Sequence, residues 1–192
     1  MRCHWRTGIT MLLALTALTG IAYPLLVTGV AQVAFHAKAN GSLISVDGRL
    51  AGSRLIGQPF QSPRYFWGRP SATQPVPYNG AASAGSNLGP LNPAMLGAVR
   101  ARVAALRASD PGATGSVPVD LVTCSASGLD PHISPAAAEY QVPRVARERR
   151  LSEAQVRAIV AQHTEGRFAG LLGEPTVSVL SLNLALDRLE GK

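Results

Sequence analysis

The sequence predicts an α+β fold, with one N-terminal transmembrane helix followed by a single small extracytoplasmic α+β domain. Residues 7–35 carry no charge, and all eleven Asp and Glu residues come after this stretch. The rest of the chain mixes short strand-like segments with helical periodicity. The predicted division is a cytoplasmic N-terminus at 1–7, a transmembrane helix at 8–35 and the domain at 36–192.

The uncharged stretch is long enough to cross a bilayer. Twenty helical residues extend about 30 Å, the thickness of the hydrocarbon core. Pro24 lies inside the stretch, where a membrane helix tolerates it. Gly20 and Gly29 thin the helix surface, which either allows a second helix to approach or reflects the frequency of glycine in such helices. Tyr23, Pro24 and Gly29 are therefore candidate contacts to a partner.

The flanking charges predict an orientation. Arg2 and Arg6 precede the stretch, whereas only Lys38 follows it closely. Because cationic residues favour the cytoplasmic side, we expect a cytoplasmic N-terminus and an exported domain. The alternative is a cleavable signal peptide ending at Ala37-Lys38-Ala39, which would release or tether a binding module outside the cell.

The composition argues against several functions. The net charge is +7, but no Lys/Arg run alternates with aromatic residues, so we expect no nucleic-acid partner. Cys3 and Cys124 lie on either side of the predicted span and cannot pair. No His or Cys spacing is typical of a metal site, and no Gly-rich phosphate loop occurs.

The predicted elements of the domain follow in chain order. Strand-like segments are expected in the proline-rich first third, and three capped helices after it. The predictions are strand-like Ser42–Val46 and Tyr65–Trp67; a helix capped by Asn92, with Leu96, Val99, Val103 and Leu106 on one face, ending at Asp110; a strand Val117–Thr123; a helix from Ser134 interrupted near Pro143; a helix with the capping box Ser152 and Gln155; a strand Thr176–Leu180; and a short helix from Asn183.

Two polar clusters stand out in the sequence of the domain. Ser125 or Ser127 near Asp130 and His132 could form an exported serine hydrolase, but triads are assembled from distant segments and no nucleophile elbow is present. The favoured interpretation is a tight turn with positive φ at Gly128. The second cluster is predicted to be a solvated basic face, and the alternative is a surface that meets an acidic partner or lipid headgroups. It comprises Arg144, Arg147, Arg149, Arg150 and Arg157.

Several sequence blocks together resemble a known family. They include Tyr23-Pro24-Leu25, Leu55-Ile56-Gly57-Gln58, Arg69-Pro70-Ser71-Ala72, residues 125–134 beginning Ser-Ala-Ser-Gly-Leu-Asp-Pro-His, and residues 182–187 reading Leu-Asn-Leu-Ala-Leu-Asp. In this order they resemble the C subunit of the Kdp potassium-transporting ATPase, over nearly the whole chain. Cys124 departs from the pattern, since small residues are usual there.

The resemblance implies a non-catalytic accessory subunit of a high-affinity potassium uptake complex in the bacterial inner membrane. Its partners would be a channel-like potassium-binding subunit, a P-type ATPase subunit, a small single-helix subunit and membrane lipid. The chain would have no cofactor of its own, and ATP would be bound by the P-type subunit, whose ATP affinity the family is described as raising. The exported domain would instead suit a cap over the outer potassium entrance. The candidate interaction residues are Tyr23, Pro24, Gly29, Gln58, Arg69, Ser71, Ser125, Ser127, Gly128, Asp130 and His132.

Overall fold

The computed structural model describes residues 4–190, which divide into two compact units between Leu43 and Ile44. Helices and small sheets occur together, which confirms the mixed helix-and-sheet class predicted from the sequence. Arg2, Cys3 and Lys192, which entered the predictions above, lie outside the described residues.

The first unit is mainly one long helix. It comprises α1 (Trp5–Leu15), a π-helical segment (Thr16–Ala22) and α2 (Tyr23–Ala34). Among the described residues it is the one helix whose length and composition would allow it to cross a membrane. The helix stops at Phe35, whose φ of −135° breaks the helical path, and a short α3 (His36–Ala39) follows.

The π-helical segment has a local cause. Pro24 has no N–H, and its ring crowds the carbonyl group four residues earlier. The Tyr23 N–H bonds the carbonyl oxygen of Leu18, five residues back, which is the spacing of a π turn. The Thr19 hydroxyl donates to the carbonyl oxygen of Leu15 at 2.7 Å, so the widened turns keep that acceptor satisfied.

Two small sheets lie along the chain. The first pairs β1 (Leu43–Val46) with β2 (Arg49–Ser53) around a turn with positive φ at Asp47 and Gly48, as two-residue hairpin turns require. The second is antiparallel in the order β3-β5-β4. Its strands are β3 (His132–Ile133), β4 (Thr164–Glu165) and β5 (Thr176–Ser178).

Four helices complete the second unit, and three of them begin at the residues that the sequence predicts. Asn92, Ser134 and Ser152 each accept a backbone N–H through their side chains, and Ser152 with Gln155 forms the expected capping box. The helices are α4 (Pro93–Ser109), α5 (Pro135–Arg149), α6 (Glu153–Gln162) and α7 (Val179–Glu190).

The secondary structure differs from the predictions at several points. Val117–Thr123 is not a strand but contains a 3-10 turn at Val119–Leu121. Pro143 lies inside an unbroken α5, because its neighbours Val142 and Val145 are fully buried and tertiary packing outweighs the lost hydrogen bond. The strand predicted to reach Leu180 ends at Ser178.

The last of these differences has a clear cause. The residues after Ser178 follow a helical period, since Val179, Leu182 and Leu186 are all buried on one side of α7. The helix therefore begins at Val179 instead of Asn183, the predicted start. Together with α5 and β5, α7 supplies most of the hydrophobic core.

The helix α4 reaches the core only at its C-terminal end. Leu106 is 3% exposed, whereas Leu96 on the same predicted face is 41% exposed. The core residues are Phe66, Leu106, Leu121, Ile133, Ala137, Ala138, Val142, Val145, Ala146, Val156, Val160, Val177, Val179, Leu182 and Leu186.

Candidate functional site

Residues 65–67 form no strand. The backbone groups of Phe66 and Trp67 bond side-chain amides from two helices instead of a neighbouring strand. The Phe66 N–H donates to Oδ1 of Asn183 at 2.9 Å, and Nδ2 of Asn183 donates to the Phe66 carbonyl at 3.0 Å. Gln141 pairs with Trp67 in the same way, at 2.8 and 3.2 Å. The prediction of a strand-like segment at Tyr65–Trp67 was therefore wrong.

Two arginines of the supposed basic face are buried. Arg144 is 2% exposed, and its guanidinium donates to the carbonyl oxygens of Pro63 and Tyr65 and to Oε1 of Gln141. It also lies 4.6 Å from the centre of the Trp67 ring, a cation–π contact. Burial lowers the pKa of Arg144 to about 10, so it stays charged at neutral pH.

Arg149 holds the same loop from the next turn of α5. Its Nε donates to the carbonyl of Arg64 at 2.7 Å, and Nη2 donates to Asp187 at 2.8 Å. The prediction of a solvated face was therefore wrong for Arg144 and Arg149, which bind loop carbonyls. It fits Arg157, an exposed residue that pairs with Glu139 and Glu153.

The segment from Ser125 to His132 is a tight turn, as its sequence predicts. Ser125 Oγ accepts the N–H of Gly128 at 2.9 Å, and Ser127 Oγ accepts the N–H of Leu129 at 3.1 Å. Gly128 has a φ of +67°. A Cβ there would lie 2.5 Å from the Ala84 carbonyl oxygen, so the position requires glycine for both conformation and space.

Arg69, Asp130 and His132 form a charged group at the C-terminal end of the turn. Arg69 Nη1 donates to Asp130 Oδ2 and Nη2 donates to the Cys124 carbonyl, both at 3.2 Å. Asp130 Oδ1 accepts the His132 N–H at 3.0 Å and lies 3.5 Å from His132 Nδ1. Arg69 thus joins the loop of residues 69–78 to the turn.

The pKa values of this group shift in the directions that favour its charged forms. Burial alone would raise the pKa of Asp130, but hydrogen bonds from His132 and the charge of Arg69 outweigh it and leave this pKa below its usual value. The hydrogen bond to Asp130 raises the pKa of His132, against the opposing effect of burial.

Ser71 and Gln58 connect the remaining loops to the same place. The Ser71 hydroxyl donates to the Gly128 carbonyl at 2.7 Å and accepts the Tyr78 N–H at 2.9 Å. Gln58 Nε2 donates to the carbonyl of Ala51 at 2.7 Å, and the adjacent Gly57 N–H donates to the Leu129 carbonyl. Gln58 therefore fastens its loop to β2 beside the turn.

The predicted site residues fall into two groups. Gln58, Arg69, Ser71, Ser125, Ser127, Gly128, Asp130 and His132 come together around the turn in the second unit. Tyr23, Pro24 and Gly29 lie on the long helix of the first unit. Tyr23 is 63% exposed, and a Cβ at Gly29 would meet nothing within 4 Å of this chain.

A pocket of about 290 Å³ opens beside this hydrogen-bonded region, between the loops of residues 58–78 and α4. Aromatic rings and prolines form much of its wall, and no Asp or Glu lines it. The lining residues are Gln58, Pro59, Phe60, Gln61, Trp67, Gly68, Arg69, Ser71, Pro77, Tyr78, Arg102, Ala105, Leu106 and Leu121.

Sequence reasoning missed the residues that hold the loops. Gln141 and Asn183 are buried polar residues, and Asn183 lies among the buried apolar residues of α7. A polar residue at a core position of a helical period was the available signal. Tyr78 and Arg102 line the pocket but stand in no recognisable motif. Their proximity arises only from the tertiary fold.

The geometry of the two serines does not favour a hydrolase. Each hydroxyl oxygen accepts a backbone N–H of the turn, and neither is hydrogen-bonded to His132. Within residues 4–190, no group of three or more His, Cys, Asp or Glu side chains is placed to hold a metal ion.

Among the described residues, one N-terminal helix is long and apolar enough to cross a membrane, and a separate unit of helices and sheets follows it. This organisation is typical of the class of proteins in which a folded domain follows one membrane helix. A family model described as "K+-transporting ATPase, c chain" (KdpC) matches residues 5–188. The chain belongs to this family, which confirms the resemblance drawn from the sequence. It is accordingly a subunit of the Kdp potassium-transporting ATPase complex, and partner subunits are implied.

Relatives named potassium-transporting ATPase KdpC subunit match almost the full length. The protein of Sorangium cellulosum is 68% identical over 187 residues, covering 97% of this chain and 98% of the relative. Those of Methylibium petroleiphilum and Methylococcus capsulatus are 63% and 62% identical, each again covering 97% of this chain and 98% of the relative.

Proposed function

We propose that this chain is a non-catalytic accessory subunit of a high-affinity, ATP-driven potassium uptake complex. Its helix is held in the bacterial inner membrane with the N-terminus in the cytoplasm, and its domain lies outside. The domain packs on a channel-like potassium-binding subunit at the outer potassium entrance. The helix contacts that subunit, the P-type ATPase subunit, a small single-helix subunit and lipid, which supports assembly.

The observation that carries this proposal is how the domain uses its buried polar groups. Gln141, Arg144, Arg149 and Asn183 all donate to backbone carbonyls of residues 63–67. The turn serines are likewise engaged by backbone N–H groups. Side chains committed to holding loops make a rigid platform, which suits an assembly role better than chemistry.

An effect on ATP affinity is best explained through the membrane helix. With the domain outside, no direct contact with cytoplasmic ATP is possible, so this proposal assigns the effect to helix contacts with the P-type subunit. The observation that favours it is the π-helical segment Thr16–Ala22 next to Pro24, because π turns within α-helices are frequent at functional sites.

The side of the membrane is tested by reporter fusions after Lys192. An alkaline phosphatase fusion should be active and a cytoplasmic fluorescent reporter inactive. The opposite pattern would reject the external cap. Sequencing the mature N-terminus tests the alternative, since cleavage after Ala39 would remove the helix and leave a released binding module.

Assembly is tested by purification in mild detergent from a host that expresses the whole complex. The tagged chain should recover a large channel-like subunit and a P-type ATPase. Gly29→Leu should reduce this recovery because it fills an open helix surface. Gly8→Leu is the matched control, since its position is equally open but lies near the start of the helix. Recovery of a lone monomer from the wild type would contradict the proposal.

A further inference from the structure

The pocket beside α4 is lined largely by aromatic and proline side chains, which suit an apolar group of a ligand. Phe60, Trp67 and Tyr78 supply aromatic surface, and Pro59 and Pro77 add rigid apolar edges. Its volume of about 290 Å³ is at the lower end of the range for small-molecule pockets, roughly 300–1,000 Å³. A compact group of one ring or one branched chain fits this space.

The charge of the pocket selects for an anion. Arg69 and Arg102 line it, and no carboxylate does. Arg69 is paired with Asp130, but the exposed guanidinium of Arg102 forms no ion pair or hydrogen bond with the described residues. Both arginines act to lower the pKa of Tyr78, although burial, the largest influence, leaves it raised. The two positive charges therefore converge on the tyrosine.

The guanidinium of Arg102, which has no carboxylate partner among the described residues, suits a ligand with one negative charge. Because Asp130 neutralises Arg69, the group of Arg69, Asp130 and Arg102 has a net charge of about +1, which matches a carboxylate better than a multiply charged phosphate ester. A guanidinium also presents parallel N–H groups that match the two oxygens of a carboxylate.

The pocket is held in shape before any ligand arrives. The Tyr78 hydroxyl donates to the Arg69 carbonyl, and its N–H donates to Ser71. Trp67 is fixed by Gln141 through its backbone and by Arg144 through its ring. Preformed walls reduce the ordering cost of binding.

We propose that this pocket binds a carboxylate carried on a small apolar body, with Arg102 as the residue that recognises the charge. The carboxylate comes from an acidic side chain of a partner subunit, presented beside an apolar residue, or from a free aromatic or aliphatic acid. The partner source rests on the proposed function above, whereas binding of a free acid does not.

The first experiment uses the full chain in detergent with the substitution Trp5→Phe, so that Trp67 is the fluorophore of the two tryptophans. Phenylacetate should change Trp67 fluorescence saturably, and the uncharged phenylacetamide should not. Arg102→Gln should weaken phenylacetate binding by about 10-fold, the effect of losing one charge-assisted contact. Arg107→Gln, an exposed α4 residue outside the pocket, should leave binding unchanged.

The second experiment locates the source in the assembled complex. A photo-crosslinking amino acid at Ala105, which lines the pocket, should join a partner segment that contains an acidic residue, and phenylacetate should compete with this crosslink. A saturable titration without any partner crosslink assigns the site to a free acid. The proposal is overturned if phenylacetate and phenylacetamide act alike, or if Arg102→Gln binds as the wild type does. Failure of the complex to assemble would count against the proposed function alone.

Discussion

Asn183 on α7 pairs with Phe66 as a neighbouring strand would. Its amide accepts the Phe66 N–H at 2.9 Å and donates to the Phe66 carbonyl at 3.0 Å. Phe66 is fully buried, and Asn183 is only 1% exposed, so water cannot replace either bond. The amide satisfies both backbone polar groups of Phe66 without adding a strand to the sheet.

Replacing Asn183 should therefore destabilise the domain strongly. Asn183→Leu keeps a similar volume but leaves a buried N–H and a buried C=O without partners, at about 1–3 kcal/mol each. We expect a loss of about 2–6 kcal/mol in the free energy of unfolding, measured by urea denaturation of the detergent-solubilised chain. Gln162→Leu, at an exposed position on α6, is the control and should change little. Equal stability of the two variants would contradict the pairing.

Arg144 should not be replaceable by lysine. Its guanidinium donates to Tyr65 and Gln141 at 3.0 and 2.6 Å and covers the Trp67 ring. An ammonium group cannot reproduce this planar arrangement. We expect Arg144→Lys to lower the free energy of unfolding by about 2–4 kcal/mol. Thermal unfolding of the Trp5→Phe chain, in which Trp67 is the remaining tryptophan, measures this loss by fluorescence. Arg157→Lys, at an exposed position of α6, should unfold at the wild-type temperature. A similar fall in the unfolding temperature of both variants would mean that burial of Arg144 is unimportant.

A comparison of Gly128 with Gly170 separates the two reasons for which a position can require glycine, which are a positive φ and lack of space for a Cβ. Both have positive φ, +67° and +74°, so alanine strains either position by about 1 kcal/mol. At Gly128 a Cβ also meets the Ala84 carbonyl oxygen at 2.5 Å and Thr73 Cγ2 at 2.7 Å, whereas at Gly170 nothing lies within 4 Å. Gly128→Ala should therefore lose at least about 2 kcal/mol more than Gly170→Ala in urea unfolding. Equal losses would show that the turn can move away from Ala84.

The pair of Asp130 and His132 should make stability depend on pH. The pKa of His132 is raised in the folded state, so its contribution is full below the unfolded pKa of about 6.5 and is lost as pH rises through the folded value. His132→Gln should lower the free energy of unfolding, measured by urea denaturation, at pH 5.5 but not at pH 9. The loss should be no more than about 1 kcal/mol because the pair is partly exposed.

Asp130 makes the stability of the domain depend on pH in the opposite direction, at acidic pH. Its pKa is lowered in the fold, so its contribution is present above about pH 4 and is lost as pH falls through the folded value. Asp130→Asn should remove the His132-dependent difference as well. A histidine effect that persists in Asp130→Asn would show that another group, such as Glu165, raises the pKa of His132.

The sequence could predict features that rest on local chemistry. Helix starts at Asn92, Ser134 and Ser152 follow from side chains that bond the first backbone N–H groups. The turn at Gly128 follows from its neighbours in the same way. The long apolar helix follows from composition alone.

Features that depend on distant segments could not be predicted. Local composition made Tyr65–Trp67 resemble a strand, but the groups that pair with it lie on α5 and α7. Similarly, Arg144 and Arg149 share a charged stretch with Arg157, and only the packing of residues 63–67 against α5 makes the first two buried. The pocket belongs to the same category, because Arg102 and Tyr78 meet only after folding.

The bond between Phe66 and Asn183 joins residues 117 positions apart. It therefore cannot form until well after Phe66 has been synthesised. At about 5–20 residues per second, the ribosome adds the partner of Phe66 roughly 6 to 23 s after Phe66 itself. During that interval the N–H and C=O groups of Phe66 lack the side-chain amide that pairs with both of them in the fold. The packing of Phe66 is consequently completed only when α7 is present, and a chain shortened by α7 would leave both groups without this partner.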